Sequence, residues 1–404
     1  MNEQMQAPQG APLFNPWTQA FIADPYSFYH RLRMTDPMHL TPSGYYVASR
    51  HADVAAILRD KRFGKDFMRR PVLMLKEPVY RSMSHWVLQL DPPGHGRLRN
   101  IVVRAFTARR VEDMRPRIQQ IVDELIDCLE PQGHMDLIAD FAFRLPVTVI
   151  CDMLGIPEED RQVFFKSSRA RFARLLEMAP LSRAEVDRQN SYNLAMAEYF
   201  GRLFELRRRE PRDDLITYFV QAEENDRLTN EELTANVILL FDAGHETTVN
   251  LIGNGLLALH RNPDQLRLLK NNPSLMANAI EELLRYDASV QAIGRTALEY
   301  VDEIGGISLE KGQSVICLLG SANRDPAVYS DPDRLDVTRP DVRPLSFGRG
   351  IHQCVGAQLA RIEGEIAIAT LLRRLPNLQL DDVDHPDWRQ TFVLRGLNRL
   401  LASW

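Results

Sequence analysis

One uninterrupted helical pattern runs from Thr229 to about Arg261 and restricts the fold more than any other stretch of the chain. Thr229 and Glu232 have the spacing of a capping box, which marks a helix start. No proline follows until Pro263, and at 1.5 Å per residue the helix therefore spans roughly 50 Å, enough to cross a whole domain. Because its middle is apolar, we expect this helix to be buried, with the rest of the chain packed around it.

The centre of this predicted helix reads FDAGHETT at 241–248, which is unusual for a buried segment. A glycine in a helix interior costs about 1 kcal/mol relative to alanine. Acids, a histidine and threonines cost more when they are buried without partners. Such local conflicts are expected at functional sites. The alternative interpretation is a bent core helix in which every polar group is satisfied.

Helical patterns dominate the rest of the chain, and strand patterns are few and short. Asp24-Pro25 opens a helix that runs to about Arg33, and the apolar spacing of three or four over 111–129 predicts another. Strands are predicted at 44–47, 295–301 and 315–319, with hairpin turns at 305–306 and 311–312. The expected fold class is therefore mainly α with small β-sheets.

The composition indicates an ordinary globular protein, with 45% hydrophobic residues, 25% charged residues and a net charge of −5. We find no linker-like segment and no internal repeat between residue 20 and the C-terminus. We therefore predict a disordered segment at 1–14 and a single domain at 15–404. The sequence has neither a basic stripe interleaved with aromatics nor eighteen consecutive apolar residues, which argues against nucleic-acid and membrane partners. The first residues lack the features of a signal peptide, and we expect a monomer in the cytoplasm.

The four cysteines, Cys128, Cys151, Cys317 and Cys354, are too far apart in sequence for a CxxC site, so we expect free thiols. Cys128 and Cys151 fall in apolar helical patterns typical of the core. Cys354 differs, because it ends a glycine-rich turn at the start of a predicted helix, where a thiolate is favoured. It could be a nucleophile, a metal ligand or a structural residue. Glycines at 348, 350 and 356 allow the backbone to approach a large flat ligand, which favours haem ligation.

Four segments, taken together, resemble the signatures of cytochrome P450 monooxygenases. FGRGIHQCVG at 347–356, continued by LAR at 359–361, is similar to the family's FGxGxHxCxG, and AGHET at 243–247 is similar to AGx(D/E)T. ELLR at 282–285 matches ExxR, and DPPGHGRLR at 91–99 resembles DPPxHxxLR. The resemblance covers the chain from about residue 20 to the end. It is nearest to the bacterial class that tailors polyketides, fatty acyl chains or terpenoids.

The resemblance implies a single-domain P450 fold in which the long central helix lies over a haem b. Cys354 would be the thiolate ligand of the iron, and the other expected contacts to the haem are His95, Arg99, Ala243, Gly244, Arg295, Phe347, Gly348, His352 and Gly356. Of these, His95, Arg99, Arg295 and His352 would hold the propionates. Glu282 and Arg285 would form a folding lock with a downstream arginine, either Arg334 or Arg339.

Glu246 and Thr247 are the expected catalytic pair, which would relay protons into a site that excludes water. The expected substrate contacts are Asp242, Ala243, Val290, Ile293 and Val393, and specificity is expected in segments 67–87, 172–177, 288–293 and 392–394. Asp242 has two interpretations that we weigh equally. It either pairs with a neighbouring helix or meets a hydrogen-bond donor of the substrate.

Electrons must come from outside, because the sequence has no flavin or nicotinamide segment and no ferredoxin cysteine set. The expected partners are a small-molecule substrate and a ferredoxin or flavodoxin with its reductase. Two rival hypotheses are a peroxide-driven haem-thiolate enzyme and a non-catalytic haem sensor or carrier. The retained acid–threonine pair disfavours both. A basic docking patch and scattered solvated arginines are equally compatible with Arg104, Arg109, Arg110, Arg343 and Arg349.

Overall fold

The computed structural model describes residues 13–65, 74–162, 164, 171–177, 179–224 and 227–404. Within these ranges the chain is mainly helical. The α-helices are α1 (Gln19–Ala23), α2 (Pro25–Thr35), α3 (His51–Arg59), α4 (Pro78–Ser84), α5 (Gly94–Ala105), α6 (Ala108–Glu112), α7 (Arg115–Leu129), α8 (Arg144–Leu154), α9 (Arg171–Leu176), α10 (Arg183–Arg209), α11 (Leu215–Glu224), α12 (Asn230–Arg261), α13 (Pro263–Asn271), α14 (Met276–Tyr286), α15 (Leu319–Ala322) and α16 (Ala357–Arg374). A π-helical turn lies at Leu137–Ala142.

Helix α12 is the predicted central helix, with 32 residues that span about 48 Å. Both hydrogen bonds of the Thr229 and Glu232 capping box are present. The helix is buried over most of its length and contacts α8, α10, α14 and α16. Among the residues that the structure describes, no helix has both the length and the apolarity required to cross a bilayer.

The strands form three small sheets beside the helices. The strands are β1 (Met38–Leu40), β2 (Tyr46–Ala48), β3 (Phe63–Gly64), β4 (His134–Asp136), β5 (Ala292–Ala297), β6 (Val301–Ile304), β7 (Ile307–Leu309), β8 (Ser314–Leu318), β9 (Gln379–Leu380) and β10 (Leu401–Ser403). The largest sheet has the order β1-β2-β8-β5-β3, in which β2 and β8 are parallel and the other pairs are antiparallel. The others have the order β4-β10-β9 and the pair β6-β7. The predicted fold class is confirmed.

Several local predictions are wrong. The predicted strand at 295–301 is two strands, β5 and β6, separated by residues 298–300. The predicted helix at 111–129 is also divided, because α6 ends at Glu112 and α7 begins at Arg115 with Pro116 in its first turn. Proline disfavours helical geometry in the residue before it, so this position begins a helix instead of continuing one. Both Cys128 and Cys151 were expected in the core. Cys151 is buried, but Cys128 is exposed.

The predicted disordered segment 1–14 lies mostly outside the described residues. Phe14 is described, and it is buried against the rings of Phe21 and Phe392 at centroid distances of 5.8 and 5.6 Å. The prediction of disorder is therefore wrong for residue 14, because an aromatic side chain packed on two others has a fixed place in the core.

Candidate functional site

A cavity of about 460 Å³ lies beside the middle of α12. The stretch of α12 from Leu239 to Leu251 forms one wall, and α9, strands β5 and β8, and the loop before α16 form others. Several residues predicted from the sequence line it, namely Arg99, Ala243, Gly244, Thr247, Val290, Ile293, Arg295, Phe347, His352, Cys354, Gly356 and Val393. Of the residues predicted to contact the haem or the substrate or to act in catalysis, four are not on this lining, namely His95, Asp242, Glu246 and Gly348. Residues 67–73 of the first predicted specificity segment lie outside the described residues.

The loop at 345–356 holds Cys354 at the cavity wall. The backbone N–H of Cys354 donates to the carbonyl oxygen of Phe347 at 2.9 Å. Gly350 has a φ of +73°, and a Cβ there would stand 2.2 Å from the carbonyl oxygen of Leu58. A side chain at position 350 would therefore push this loop away from α3. The glycine at this position lets the loop turn tightly and present the thiol to the cavity.

The Cys354 thiol is exposed to the cavity but surrounded by protein. Burial raises the pKa of this thiol, whereas a hydrogen bond from the backbone N–H of Gly356 and the charges of Arg99 and Arg361 act in the opposite direction. The Arg361 guanidinium also lies 4.6 Å from the centre of the Phe347 ring. The loop thus supplies one N–H donor, and Arg99 of α5 and Arg361 of α16 supply two positive charges that favour the thiolate.

A cluster of basic side chains adjoins the thiol. The rings of His95 and His352 lie 4.3 Å apart, and their Nε2 atoms are buried without a hydrogen-bond partner among the described residues. Burial, together with the charge of Arg99, lowers the pKa of His95 to about 4. Burial and the charges of Lys65 and Arg295 lower the pKa of His352 to about 2. The cluster therefore has buried donors and positive charge that call for an anion.

Lys65 belongs to this cluster but was not predicted. Burial and the charge of Arg295 lower the pKa of its ammonium to about 7. Strand β3, which ends one residue earlier, pairs with β5 and so brings Lys65 near Arg295. No motif marks Lys65 in the sequence, because the antiparallel pairing of strands more than 200 residues apart brings the two side chains together.

Thr247 and Glu246 point in different directions from α12. Thr247 lines the cavity, and its hydroxyl donates to the carbonyl oxygen of Ala243 at 3.3 Å. Glu246 faces α9, where its carboxylate accepts a hydrogen bond from the backbone N–H of Ala173 at 2.6 Å and lies 3.7 Å from Arg389. Successive helical residues are about 100° apart, so the predicted catalytic pair does not share one face towards the cavity.

Asp242 is placed away from the predicted substrate contacts, and this corrects the substrate interpretation. Its side chain is fully buried and forms an ion pair with Arg171 of α9. The Tyr192 hydroxyl donates to its other oxygen at 3.3 Å. Arg171 also stacks on the Tyr192 ring at 3.8 Å and donates to Gln189 at 2.8 Å. This geometry corresponds to the alternative in which Asp242 pairs with a neighbouring helix.

Glu282 and Arg285 form a fully buried pair, with Nε of the arginine 2.7 Å from the carboxylate. Arg339 adds a second guanidinium at 3.3 Å from Glu282. Arg334 contributes only its carbonyl oxygen, which accepts hydrogen bonds from Arg285 at 3.2 Å and Arg339 at 3.1 Å. Of the two arginines considered from the sequence, Arg339 is therefore the charged partner. All of these groups are tied to the backbone at 323–336.

Two carboxylates on the cavity wall were not singled out as site residues. Glu363 is buried on α16, and burial raises the pKa of its carboxyl well above the usual value. A single glutamate in a helical pattern looks like a surface residue, so no sequence signal marked it. Glu177 follows α9 directly and lies within a segment predicted to set specificity, but no role was assigned to it.

The chain matches the family model described as Cytochrome P450 over residues 37–400. The chain belongs to the cytochrome P450 family. It is 42% identical to Cytochrome P450 107B1 of Saccharopolyspora erythraea over 94% of this chain and 95% of the relative. It is 40% identical to Cytochrome P450 monooxygenase PikC of Streptomyces venezuelae over 96% of this chain and 92% of the relative.

Known P450 structures share this fold. One is P450BioI in complex with an acyl carrier protein ligated to hexadec-9Z-enoic acid. It superposes with a TM-score of 0.90 at 36% sequence identity, over 96% of this chain and all of that chain. Family membership makes this protein a haem-thiolate enzyme of the monooxygenase class.

The residues around the cavity fit a haem. Cys354 offers a thiol at the wall, and the free Nε2 atoms of His95 and His352 lie with Arg99 and Arg295 in one basic cluster. Asp91 is an acid that interacts with His95, Lys65 and Arg295, and two propionates would supply further negative charge to this cluster. The ring would then lie against apolar wall residues, which include Leu251, Phe347 and Leu359.

Proposed function

We propose that this P450 inserts one oxygen atom from O2 into a C–H bond of a mainly apolar small molecule. The substrate class would be a polyketide, a fatty-acyl chain or a terpenoid. The observation that carries the proposal is the Cys354 thiol on the wall of an apolar cavity, next to the basic cluster of His95, Arg99, Arg295 and His352. The remaining wall is largely aliphatic and aromatic, which suits an apolar ligand.

The cofactor proposed for this site is haem b, with Cys354 as the ligand of its iron. Bound there, it would supply the oxygen chemistry of the reaction, with the thiolate as an electron-donating ligand. Arg99, Arg295, His95 and His352 would hold its propionates, because cationic and N–H donors compensate buried carboxylates. Ala243, Gly244, Phe347, Gly348 and Gly356 are the other proposed haem contacts.

The Thr247 hydroxyl is proposed to pass protons to the reaction, because Thr247 is the member of the predicted catalytic pair that lines the cavity. Glu246 would act from behind it, because its carboxylate is held by Ala173 at 2.6 Å. A proton from Glu246 must therefore reach Thr247 around α12, or after the carboxylate rotates. Ala243, Val290, Ile293 and Val393 are the substrate contacts that this proposal retains.

The proposed electron source is a separate ferredoxin or flavodoxin with its reductase. Arg104, Arg109, Arg110 and Arg343 are exposed and Arg349 is partly buried, so the first four are available for docking an acidic partner. Two of them are already near acids, since Arg109 lies 3.9 Å from Asp113 and Arg110 lies 3.6 Å from Asp213. The expected monomeric state and cytoplasmic location stay predictions.

The experiment that tests this function combines spectroscopy with turnover. Cys354→Ala should abolish the red-shifted thiolate-type Soret band of the reduced, carbon-monoxide-bound protein, and Cys128→Ala, which replaces an exposed thiol, should keep it. With a ferredoxin system, the wild-type protein should consume NAD(P)H only when a substrate is oxidised. A thiolate band that survives Cys354→Ala would refute the ligand assignment. Turnover that needs only peroxide would favour the peroxide-driven alternative, and no turnover with any electron source would favour a carrier.

A further inference from the structure

Glu177 has one carboxylate oxygen in use and one without a partner. Oε1 accepts hydrogen bonds from the backbone N–H groups of Phe392 at 2.8 Å and Val393 at 2.9 Å. Oε2 is buried and has no hydrogen-bond partner among the residues that the structure describes. The residue lies on the cavity wall directly after α9. The two backbone contacts therefore fix the carboxylate in place and leave its second oxygen unsatisfied.

A buried acceptor without a hydrogen-bond partner destabilises the folded protein, and it does so more strongly when it is charged. Burial raises the pKa of the Glu177 carboxyl, while hydrogen bonds from Val393 and Phe392 and the charge of Arg174 act in the opposite direction. Arg174 itself is engaged with Glu185 at 2.7 Å. Because Oε2 is covered as well as unpartnered, a donor from the cavity would reach it with a small shift of the surrounding side chains, while the two backbone contacts of Oε1 stay in place.

The cavity wall around Glu177 is apolar. Phe172, Leu175 and Leu176 of α9 and Val393 line the cavity on this side. The cations on the lining, Lys65, Arg99 and Arg295, belong to the basic cluster at His352. Glu177 is therefore a polar group among the described apolar residues on this side of the cavity, an arrangement that fixes the orientation of a largely apolar ligand.

Glu177 and the thiol are on walls that meet different parts of α12. The α9 wall meets α12 at Glu246, through the N–H of Ala173. Helix α16, which begins three residues after Cys354, meets α12 at Leu251, where a Cβ on Gly364 would come within 3.0 Å of the leucine side chain. A ligand that bonds to Glu177 must therefore extend along the cavity, away from the α9 wall, to bring a carbon to the haem that Cys354 would hold.

We propose that Glu177 binds a hydroxyl or ammonium group of the substrate, which makes the substrate an apolar molecule with a hydrogen-bond donor remote from the oxidised carbon. This inference rests on the proposed function, because that function places the substrate in this cavity. It moves the donor-recognition role considered for Asp242 to a carboxylate that lines the cavity. A methyl ether or an ester at the same place would leave Oε2 unsatisfied and bind more weakly.

The test compares two probes, decan-1-ol and 1-methoxydecane, by isothermal titration calorimetry on the holoenzyme. A hydrogen bond to a charged group contributes about 1.5–3 kcal/mol, so the wild type should bind the alcohol at least about tenfold more tightly than the ether. Glu177→Gln should reduce this preference to about one. Glutamine keeps an Oε1 acceptor for Phe392 and Val393, and it replaces the free acceptor with a donor.

Gln89→Leu is the matched control, since Gln89 is another polar side chain on the cavity wall. This variant should keep the preference for the alcohol. The proposal is overturned if the wild type binds both probes equally, if Glu177→Gln keeps the preference, or if Gln89→Leu loses it. Calorimetry does not depend on turnover, so a failed donor preference is distinct from a failed monooxygenase assignment, which the Cys354→Ala spectrum tests separately.

Discussion

The buried ion pair between Arg171 and Asp242 gives a quantitative prediction about what holds α9 on the central helix. Their side chains are 7% and 0% exposed. Loss of one partner from such a pair costs about 3–5 kcal/mol, because it leaves the other charge buried, whereas replacement of both by apolar groups is often neutral. Asp242→Leu and Arg171→Met should each destabilise the protein by about this amount, and the double variant should recover most of the loss.

The expected change in melting temperature follows from the length of the chain. An unfolding entropy of about 2.1 cal/mol/K per residue gives about 0.85 kcal/mol/K for 404 residues. A loss of 3–5 kcal/mol therefore lowers Tm by about 4–6 °C, measured by scanning calorimetry at one scan rate. Because α9 is short, part of the loss could appear as local opening. Hydrogen exchange at amides 171–177 should therefore rise in each single variant and return towards the wild-type rate in the double variant.

The result that refutes this reasoning is additivity. If the two single variants and the double variant give a coupling free energy below about 1 kcal/mol in the mutant cycle, the pair does not anchor α9. A second contradictory outcome is Asp242→Leu with unchanged Tm and unchanged exchange but weaker substrate binding. That outcome would restore the original alternative, in which Asp242 meets a donor on the substrate.

Three further predictions concern the hydroxyl in the cavity, the folding lock and the α10 cap. Thr247→Ala should keep haem and substrate binding but divert reducing equivalents to peroxide, which is measured as a lower ratio of product formed to NAD(P)H consumed. Thr247→Ser should restore this ratio. An unchanged ratio in the alanine variant would contradict a role of the hydroxyl in proton delivery. Arg339→Leu should lower the urea unfolding free energy by about 1–3 kcal/mol, whereas Arg334→Leu, which removes no ion pair from the lock, should change it by less than about 0.5 kcal/mol; equal losses would be inconsistent with the geometry. The hydrogen bond from Arg174, followed by those from Ser182 at the N-cap of α10, lowers the pKa of Glu185 from 4.5 to about 2. This contribution is present above pH 4.5 and is lost as the pH falls towards 2; Glu185→Gln should flatten the stability profile over that interval by about 1 kcal/mol after solvent screening, and an unchanged slope would disprove it.

Sequence reasoning succeeded where the signal is local. The capping box at Thr229 and the absence of proline up to Arg261 are sufficient to specify α12, because its boundaries depend on residues within one turn. The glycine pattern before Cys354 is also a local signal. Gly350 has a φ of +73°, and this backbone conformation favours glycine whatever the loop packs against. Elements defined by neighbours in sequence were therefore predictable.

The partners of charged groups were not predictable, because tertiary packing selects them. Asp242 and Arg171 are 71 residues apart and meet only once α9 lies on α12. The choice between Arg334 and Arg339 likewise depends on the path of the loop around Glu282. Nothing near these residues in the sequence distinguishes a paired carboxylate from one that faces a ligand. The residues that line the cavity are determined by how the helices pack. The sequence could therefore indicate only the segments that contribute to the lining, and not the individual residues.

Helix α12 has two faces with different roles, and this division explains why some of the residues predicted for the site line the cavity and others do not. Ala243 and Thr247, four residues apart, face the cavity. Asp242 and Glu246, also four residues apart, hold Arg171 and the N–H of Ala173 in α9. Residues at this spacing share one face of a helix.

The second face fixes α9, and Glu177 lies directly after α9 on the cavity wall. Asp242 and Glu246 therefore position Glu177 on the cavity wall, although neither of these two acids lines the cavity. A variant that detaches α9 should displace Glu177 as well. Asp242→Leu should then lose part of the preference for an alcohol over an ether although Asp242 is outside the cavity, and the Arg171→Met/Asp242→Leu double variant should regain it. Recovery of this preference together with Tm would assign Asp242 to positioning, because a residue in direct contact with the ligand would not be rescued by removal of its partner on α9.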